Sequence, residues 1–337
     1  MEYRRMGKSG LKVSEICLGT MTFGHGTEEA QAKQMVDLAL EAGVNFIDTA
    51  NSYSTGQSET MLGKALKGQR QNVIVATKFF NPMGSGPNDS GMSRVHIMKA
   101  IEDSLKRLNT DYIDIYYIHH VDVQTPLEEM LHALDDLVRQ GKVRYIACSN
   151  YEAWRLNEAL WISEIKNLAS FICYQPQYNL VIRDIEDELI PLCQSKELGV
   201  VVWGPLAGGF LTGKYKAGQR RLKQTRSQEG WNFYEKLFAP KADQILTTLL
   251  DISNKLAHSP AQVALRWVLE QPAITSVIVG ARTVTQLKDN LGAAGWHLKT
   301  EPLKLLNDIF LPKARYPRAI EDFMQERRDK AMKIPKE

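Results

Sequence analysis

The chain is short of the features that name a function at once. It has four cysteines in 337 residues, Cys17, Cys148, Cys173 and Cys193, and none stands in a CxxC pair. That spacing removes the usual basis for a zinc ribbon or a redox dithiol; three of the four lie in apolar, strand-like runs, so buried reduced thiols are expected. No apolar run approaches the roughly 18 residues that suggest a membrane span. The opening MEYRRMGKSGLKVSEICLG has two arginines but no apolar segment of the roughly 7 to 15 residues that a signal peptide requires, so the cytoplasm is expected. Charge of one sign is scarce too: 42 basic against 39 acidic side chains leave +3, too little to point to nucleic acid or an anionic membrane. No GxGxxG follows a strand, and GSGPNDSG has the wrong spacing for one. HExxH is missing, and the adjacent His119 and His120 on an extended segment should face opposite sides, so no metal site is expected.

What is present is a repeat of short β-rich runs and longer amphipathic ones. EICLG precedes EEAQAKQMVDLALEAG, VNFID precedes QSETMLGKALKG, and NVIVATK precedes SRVHIMKAIEDSLKRL. The pattern continues through YIDIYYIHH, KVRYIACSN, SFICYQ, GVVVWG and SVIVGA, with PLEEMLHALDDLVRQG, YEAWRLNEALWISEIK, DIEDELIPLCQSKELG and SPAQVALRWVLEQP as helices. Eight βα units whose strands read as continuous apolar runs predict a closed parallel (β/α)8 TIM barrel. One domain over 1–337 is expected. EYRRMGKSGLKV should form an N-terminal β-hairpin on the barrel floor. PLKLLNDIF and YPRAIEDFMQERRDKAMK read as extra C-terminal helices, with a charged tail over about 326–337 expected to fray. Two connections are too long for a plain barrel: FNPMGSGPNDSGM after strand 3, and the stretch from Gly204 to Lys236 after strand 7.

Barrel chemistry gathers at the carboxyl ends of the strands. Here those ends carry Asp48, Lys78, His119 and His120, Ser149 and Asn150, Gln175, Trp203 and Arg282. Tyr53 follows Asp48 by five residues, so an acid, a phenol, a lysine and an imidazole can meet over one mouth. A phenol ionises near pH ~10 and needs a neighbouring cation to exchange a proton at neutral pH; Lys78, held by Asp48, can supply it. A histidine beside them can orient a carbonyl oxygen. The set suits carbonyl reduction or its reverse, with a cofactor supplying hydride. Singly, each residue has a plainer reading: a turn or cap for Asp48, a surface aromatic for Tyr53, a solvated lysine for Lys78, a turn amide for Gln175, and a helix start for Ser149 and Asn150. Their coincidence at successive strand ends favours catalysis.

FIDTANSY, VATKF, DIYYIHHVD, KVRYIACSN, YQPQYNL, GPLAGGFLTGKY and VIVGARTVTQLKDN, in that order, resemble the aldo-keto reductases from about residue 3 to about residue 295. Aryl-alcohol dehydrogenase-like members and potassium-channel β-subunits are similar too. The resemblance implies an NADPH-dependent oxidoreductase, with Tyr53 as acid/base and Asp48, Lys78 and His119 completing a tetrad. Strand alternation alone leaves open which histidine of the pair acts; the resemblance selects His119. It places Ser149, Asn150 and Gln175 on the nicotinamide carboxamide and Trp203 on its ring, although a core position for Trp203 stays open. Gly19, Thr20, Met21 and Asp48 join the cofactor set. Gly204, Pro205, Leu206, Gly208, Leu211, Gly213 and Lys214 resemble the pyrophosphate loop. Gly280, Arg282, Gln286, Asp289 and Asn290 resemble the adenosine site, where Arg282 can meet a 2′-phosphate. NADP(H) is therefore favoured; Gln286 stands where many NADP-preferring relatives have arginine, so NAD(H) stays open. His25, Phe80, Asn81 and His120 are substrate-side candidates, with a loop role open for His25 and Asn81. Trp231, Phe233 and Tyr234 either line the entrance or pin their loop. Beyond Lys214, the basic run Lys216, Arg220, Arg221, Lys223 and Arg226 reads as a solvated face. The expected partner is a small carbonyl or alcohol substrate, with no nucleic acid and no membrane, and the oligomeric state is open. The alternatives are a cofactor-bound regulatory subunit like the channel β-subunits, and an enzyme working mainly as an alcohol or sugar dehydrogenase.

Overall fold

A strand that is apolar on both faces must be enclosed on both, by helices outside and by other strands inside. The run Ile113–Ile118 meets that condition, being buried at every residue. The computed structural model describes residues 1–215, 240–309 and 316–332. A hairpin of β1 (Tyr3–Arg5) and β2 (Lys12–Ser14) comes first. The barrel strands are β3 (Ile16–Gly19), β4 (Phe46–Asp48), β5 (Ile74–Phe79), β6 (Ile113–Ile118), β7 (Val143–Ser149), β8 (Phe171–Gln175), β9 (Gly199–Val202) and β10 (Ser276–Gly280). They pair in parallel in sequence order, and β10 returns to β3 to close the barrel. The (β/α)8 expectation is met.

Helices α1 (Glu29–Glu41), α2 (Gln57–Ala65), α3 (Arg94–Leu108), α4 (Leu127–Arg139), α5 (Ala153–Ile165) and α6 (Leu189–Ser195) follow strands β3 to β8 in turn. Then come α7 (Pro240–Leu256), α8 (Pro260–Leu269), α9 (Val284–Leu291), α10 (Thr300–Asp308) and α11 (Arg318–Met332). Sequence explains them locally. In α4, Leu127, Met130, Leu131, Leu134 and Leu137 recur at helical spacing and are buried, with Glu128 and Glu129 in the first turn and Arg139 in the last to complement the helix dipole. In α8, Ser259 and Gln262 form a capping box around Pro260.

The hairpin seals the floor. Met6 and Val13 pack with Cys17, Phe46, Ala76, Ile115, Tyr117, Ala147, Cys173 and Val201 in the barrel interior. Gly7, at φ +56°, lies so close to the chain entering β9 that a Cβ would stand 2.4 Å from the Glu197 carbonyl oxygen. With the amino ends of the strands closed, the carboxyl ends remain for chemistry. All four cysteines are free and buried.

The long connection after β5 is tied down at several points. Asp122 accepts from the Met92 amide at 3.0 Å, His96 Nδ1 lies 3.2 Å from the Asn88 carbonyl, and Lys99 pairs with Asp89 at 2.6 Å. Most of the connection after β9 falls outside the described residues, and with it Lys216, Arg220, Arg221, Lys223, Arg226, Trp231, Phe233 and Tyr234. Helix α11 covers residues 318–332 with no buried side chain, and residues 333–337 are outside the description. Among the described residues, no helix is long and apolar enough to cross a membrane, and no group of three or more His, Cys, Asp or Glu is placed to hold a metal.

Candidate active site

Lys78 sits near the carboxyl end of β5 with its side chain 1% exposed, so its ammonium needs partners. It finds three. Nζ donates to Asp48 Oδ1, to the Thr49 carbonyl at 2.9 Å and to the Tyr53 hydroxyl at 3.2 Å. Asp48 ends β4, and its second oxygen accepts from Gln175 Nε2 at 2.9 Å, tying β4 to the end of β8. Burial pushes the Asp48 carboxyl up, with Lys78 and Gln175 opposing. Burial also works against the Lys78 ammonium, but the neighbouring Asp48, aided by Tyr53, outweighs it and holds Lys78 above its ordinary value. The lysine is charged at neutral pH.

Tyr53 is placed by a tight turn, since Ser54 and Thr55 take left-handed conformations at φ 50° and 53°. Its ring meets His119 edge-on, with centroids 5.8 Å apart. Burial, with Lys78 adding to it, pushes the His119 imidazole well below its ordinary value, so this ring is neutral. The four tetrad candidates therefore converge as a charged pair, a phenol touching the cation, and a neutral imidazole.

The histidine pair departs from expectation. The rings of His119 and His120 do not face opposite sides; they stack 4.5 Å apart and 8° from parallel. Strand β6 ends at Ile118, so the alternation rule no longer governs the two residues after it. Phe80 meets His120 edge-on at 5.5 Å and holds φ 142°, a strained backbone for an aromatic residue. Asn81 is engaged with protein: its Nδ2 donates to Ser52 Oγ at 3.1 Å and lies 3.4 Å from His119 Nδ1. His25 is exposed on the loop after β3.

The expected carboxamide residues are bonded to one another. Ser149 Oγ donates to the Gln175 carbonyl at 2.7 Å, and Asn150 Nδ2 donates to Ser149 Oγ and the His119 carbonyl at 2.9 and 3.0 Å. Asn150 Oδ1 accepts from Trp203 Nε1 at 3.1 Å, so the half-buried indole is fixed by a polar handle and is not a plain core aromatic. Thr20 is buried, donating to the Asp48 carbonyl at 3.1 Å and paired with Ser58 at 2.8 Å; Gly19 is buried beside it and Met21 half-buried.

The loop from Gly204 is held by a residue that the motif reading passed over. Asn179, fully buried, donates to the Gly204 carbonyl at 2.9 Å and accepts from the Val181 and Ile182 amides at 2.9 Å each. It stands inside YQPQYNL, but nothing local in that stretch signals a bond to residue 204. Asn179→Ala should cost about 1–3 kcal/mol by stranding buried groups. An unchanged urea midpoint would show that those bonds carry no stability. Pro205 and Leu211 are buried, whereas Leu206, Gly208 and Gly213 are half-buried and Lys214 is exposed. Gly209, at φ +94°, lies beside the Lys214 side chain, whose Nζ would stand 2.6 Å from a Cβ there.

Two observations bear on a bound nucleotide. The buried Gln177 Nε2 has no hydrogen-bond partner among the described residues, and the side chain lies against the loop, its Cγ 3.5 Å and its Nε2 3.6 Å from where a Gly204 Cβ would stand. Lys214, exposed on that loop, and Arg282, half-buried after β10, add cationic side chains. Around α9, Gly280 and Gln286 are exposed and Arg282 is half-buried, its amide donating to Gln286 Oε1 at 2.9 Å. Asp289 turns the other way, accepting from Ser259 Oγ at 2.9 Å and Gln262 Nε2 at 3.1 Å, and Asn290 is buried. The donor set fits an anionic dinucleotide, with Asp289 supporting the α8 cap.

The family model described as "Aldo/keto reductase family" matches residues 15–310. The chain is 41% identical to the uncharacterized oxidoreductase YrpG of Bacillus subtilis, over 92% of this chain and 96% of that protein. It is 36% identical to a probable voltage-gated potassium channel subunit beta of Oryza sativa subsp. japonica, over 87% and 91%. Versiconal hemiacetal acetate reductase of Aspergillus parasiticus is 33% identical, over 94% and 99%.

Proposed function

The chain belongs to the aldo/keto reductase family, whose members are oxidoreductases that use nicotinamide cofactors, and from that premise we propose that it reduces an aldehyde or ketone to the alcohol, reversibly, with NADP(H) favoured. One observation carries the reading: the Lys78 ammonium touches both the Asp48 carboxylate and the Tyr53 hydroxyl, beside a neutral His119. At 3.2 Å a unit positive charge favours phenolate over phenol by about 5 kcal/mol at an effective dielectric near 20. Asp48 on the same ammonium reduces that figure; the contact with Lys78 is what eases proton exchange by Tyr53.

When bound, the nicotinamide supplies or accepts the hydride. Tyr53 gives its hydroxyl proton to the carbonyl oxygen, and Lys78 stabilises the phenolate left behind. Asp48, held by Gln175, keeps Lys78 in position. The neutral imidazole of His119 donates an N–H to the same oxygen, polarising and orienting the carbonyl. For the nucleotide, the proposed holders are Gln177, the Gly204–Lys214 loop and Arg282, whose guanidinium suits a 2′-phosphate.

The test is turnover of a broad aldehyde and ketone panel with NADPH and with NADH, followed by loss of nicotinamide absorbance. Oxidation of NADPH with simple aldehydes, at higher kcat/KM than with NADH, is expected. No turnover with either cofactor in either direction would sink the proposal. The identity to the rice channel subunit supports a second reading, a cofactor-bound regulatory subunit. That reading requires co-purification with a partner protein and very slow turnover. The assembled tetrad speaks for catalysis, because holding a nucleotide does not call for a lysine against a phenol.

A further inference from the structure

A neutral imidazole has one N–H, and it is useful to a carbonyl only if the proton is on the nitrogen facing the substrate. Three features hold His119 still before that question arises. Its amide donates to the Phe79 carbonyl at 3.0 Å, its carbonyl accepts from Asn150 Nδ2 at 3.0 Å, and its ring lies flat on His120. The ring plane is thus set by backbone bonds and stacking, which say nothing about the proton.

Asn81 supplies the missing constraint. Its Nδ2 has two hydrogens and no lone pair to offer. Ser52 Oγ lies 3.1 Å from it and His119 Nδ1 lies 3.4 Å from it, two acceptors for two hydrogens. We propose that Asn81 is a positioning residue that holds His119 in the Nε2–H tautomer by donating to Nδ1. The donor nitrogen is then the one remote from Asn81, on a ring that Tyr53 meets edge-on. The catalytic consequence rests on the carbonyl-reduction reading above, whereas the tautomer is a property of the protein without substrate.

The charged and titratable groups around His119 bear on the test. Lys78 comes from β5, Tyr53 from the turn after β4, His120 from its own segment, and Asp48 stands behind Lys78. Burial and the Lys78 charge keep His119 neutral in the wild type, so its titration should leave no mark on turnover near neutral pH. In Asn81→Asp a carboxylate faces Nδ1. It accepts an N–H there, and its charge raises the His119 value. At low pH the imidazolium has N–H on both nitrogens and can still donate from Nε2. As pH rises through the raised value, the proton lost is the one on Nε2, because Nδ1–H is held by the carboxylate.

The experiment is nitrogen-proton correlation spectroscopy on the full-length protein with labelled histidine, His119 being assigned by the signal lost in His119→Asn. The wild type should show an Nε2–H imidazole, Asn81→Ala a mixture, and Asn81→Asp a ring protonated on Nδ1. In turnover assays Asn81→Asp should lose kcat by about 10-fold to 100-fold as pH rises, with KM for the cofactor unchanged. An Nδ1–H ring in the wild type would overturn the proposal, and that reading needs no variant to fold. So would an Asn81→Asp pH profile parallel to the wild type. A wild type without carbonyl-reducing activity would sink the functional reading instead, leaving the tautomer to be judged on the spectra.

Discussion

Tyr53→Phe is expected to lower kcat by about 10²–10⁴-fold, the range that a positioned general acid contributes, while cofactor affinity stays within a few-fold. The change removes one oxygen and keeps the ring that meets His119 edge-on, so the packing of the site survives. It also removes the hydroxyl that touches Lys78 at 3.2 Å, but that ammonium keeps Asp48 and the Thr49 carbonyl. The lesion is therefore chemical and not structural. Steady-state kinetics with an aldehyde turned over by the wild type, alongside calorimetric titration with NADPH, separates the two. A kcat within threefold of the wild type would falsify the proton-donor role.

Lys78→Met should damage both activity and stability. Asp48 is 2% exposed, and without its ammonium it is a buried carboxylate left with Gln175 as its side-chain partner. Breaking one side of a buried pair typically costs about 3–5 kcal/mol, far more than the modest net contribution of the intact pair. The pH dependence follows from the direction of each shift. A lysine held above its ordinary value contributes stability below the unfolded value, and that contribution is lost as pH rises through the folded one. A carboxyl pushed up by burial behaves oppositely to a paired surface acid: its penalty is absent at low pH and grows as pH rises through the raised folded value. In Lys78→Met nothing offsets that burial except Gln175, so the loss should be largest near neutrality and should shrink in mild acid. Adding Asp48→Asn should recover part of it. Urea titrations at several pH values read this directly, and a pH-independent loss that Asp48→Asn does not relieve would refute the unpaired-carboxylate explanation. Turnover should fall with Tyr53→Phe, since the phenolate loses its counter-charge.

Much of the architecture is readable from the chain, because a barrel strand enclosed on both faces leaves an apolar run and a helix on it leaves a 3.6-residue period. The run YIDIYYIHH contains β6, and PLEEMLHALDDLVRQG contains α4 with its buried leucines in place. That Asp48, Tyr53, Lys78 and His119 gather at one mouth is readable for a related reason: in a barrel, order along the chain is order around the mouth, so residues at the carboxyl ends of the strands share one rim. The limit shows at residue level. The alternation rule failed at His119 and His120 because β6 stops at Ile118, and an edge of one residue is finer than periodicity resolves. Asp289 carries a motif position, yet its carboxylate is spent on Ser259 and Gln262, a bond across helices that no local pattern announces.

Strand and helix order and a polar rim thus follow from local periodicity and from the closed barrel that such periodicity implies, whereas the resemblance to the aldo-keto reductases singles out His119. The protonation state and exact company of each rim residue are tertiary facts. Gln175 reaches Asp48 across 127 positions, Asn150 reaches Trp203 across 53, and Asn81 reaches His119 across 38. Hydrogen bonds act over about 3 Å, so only the folded chain, which brings such distant residues to contact, decides which donor meets which acceptor and which nitrogen of His119 is left to face a substrate.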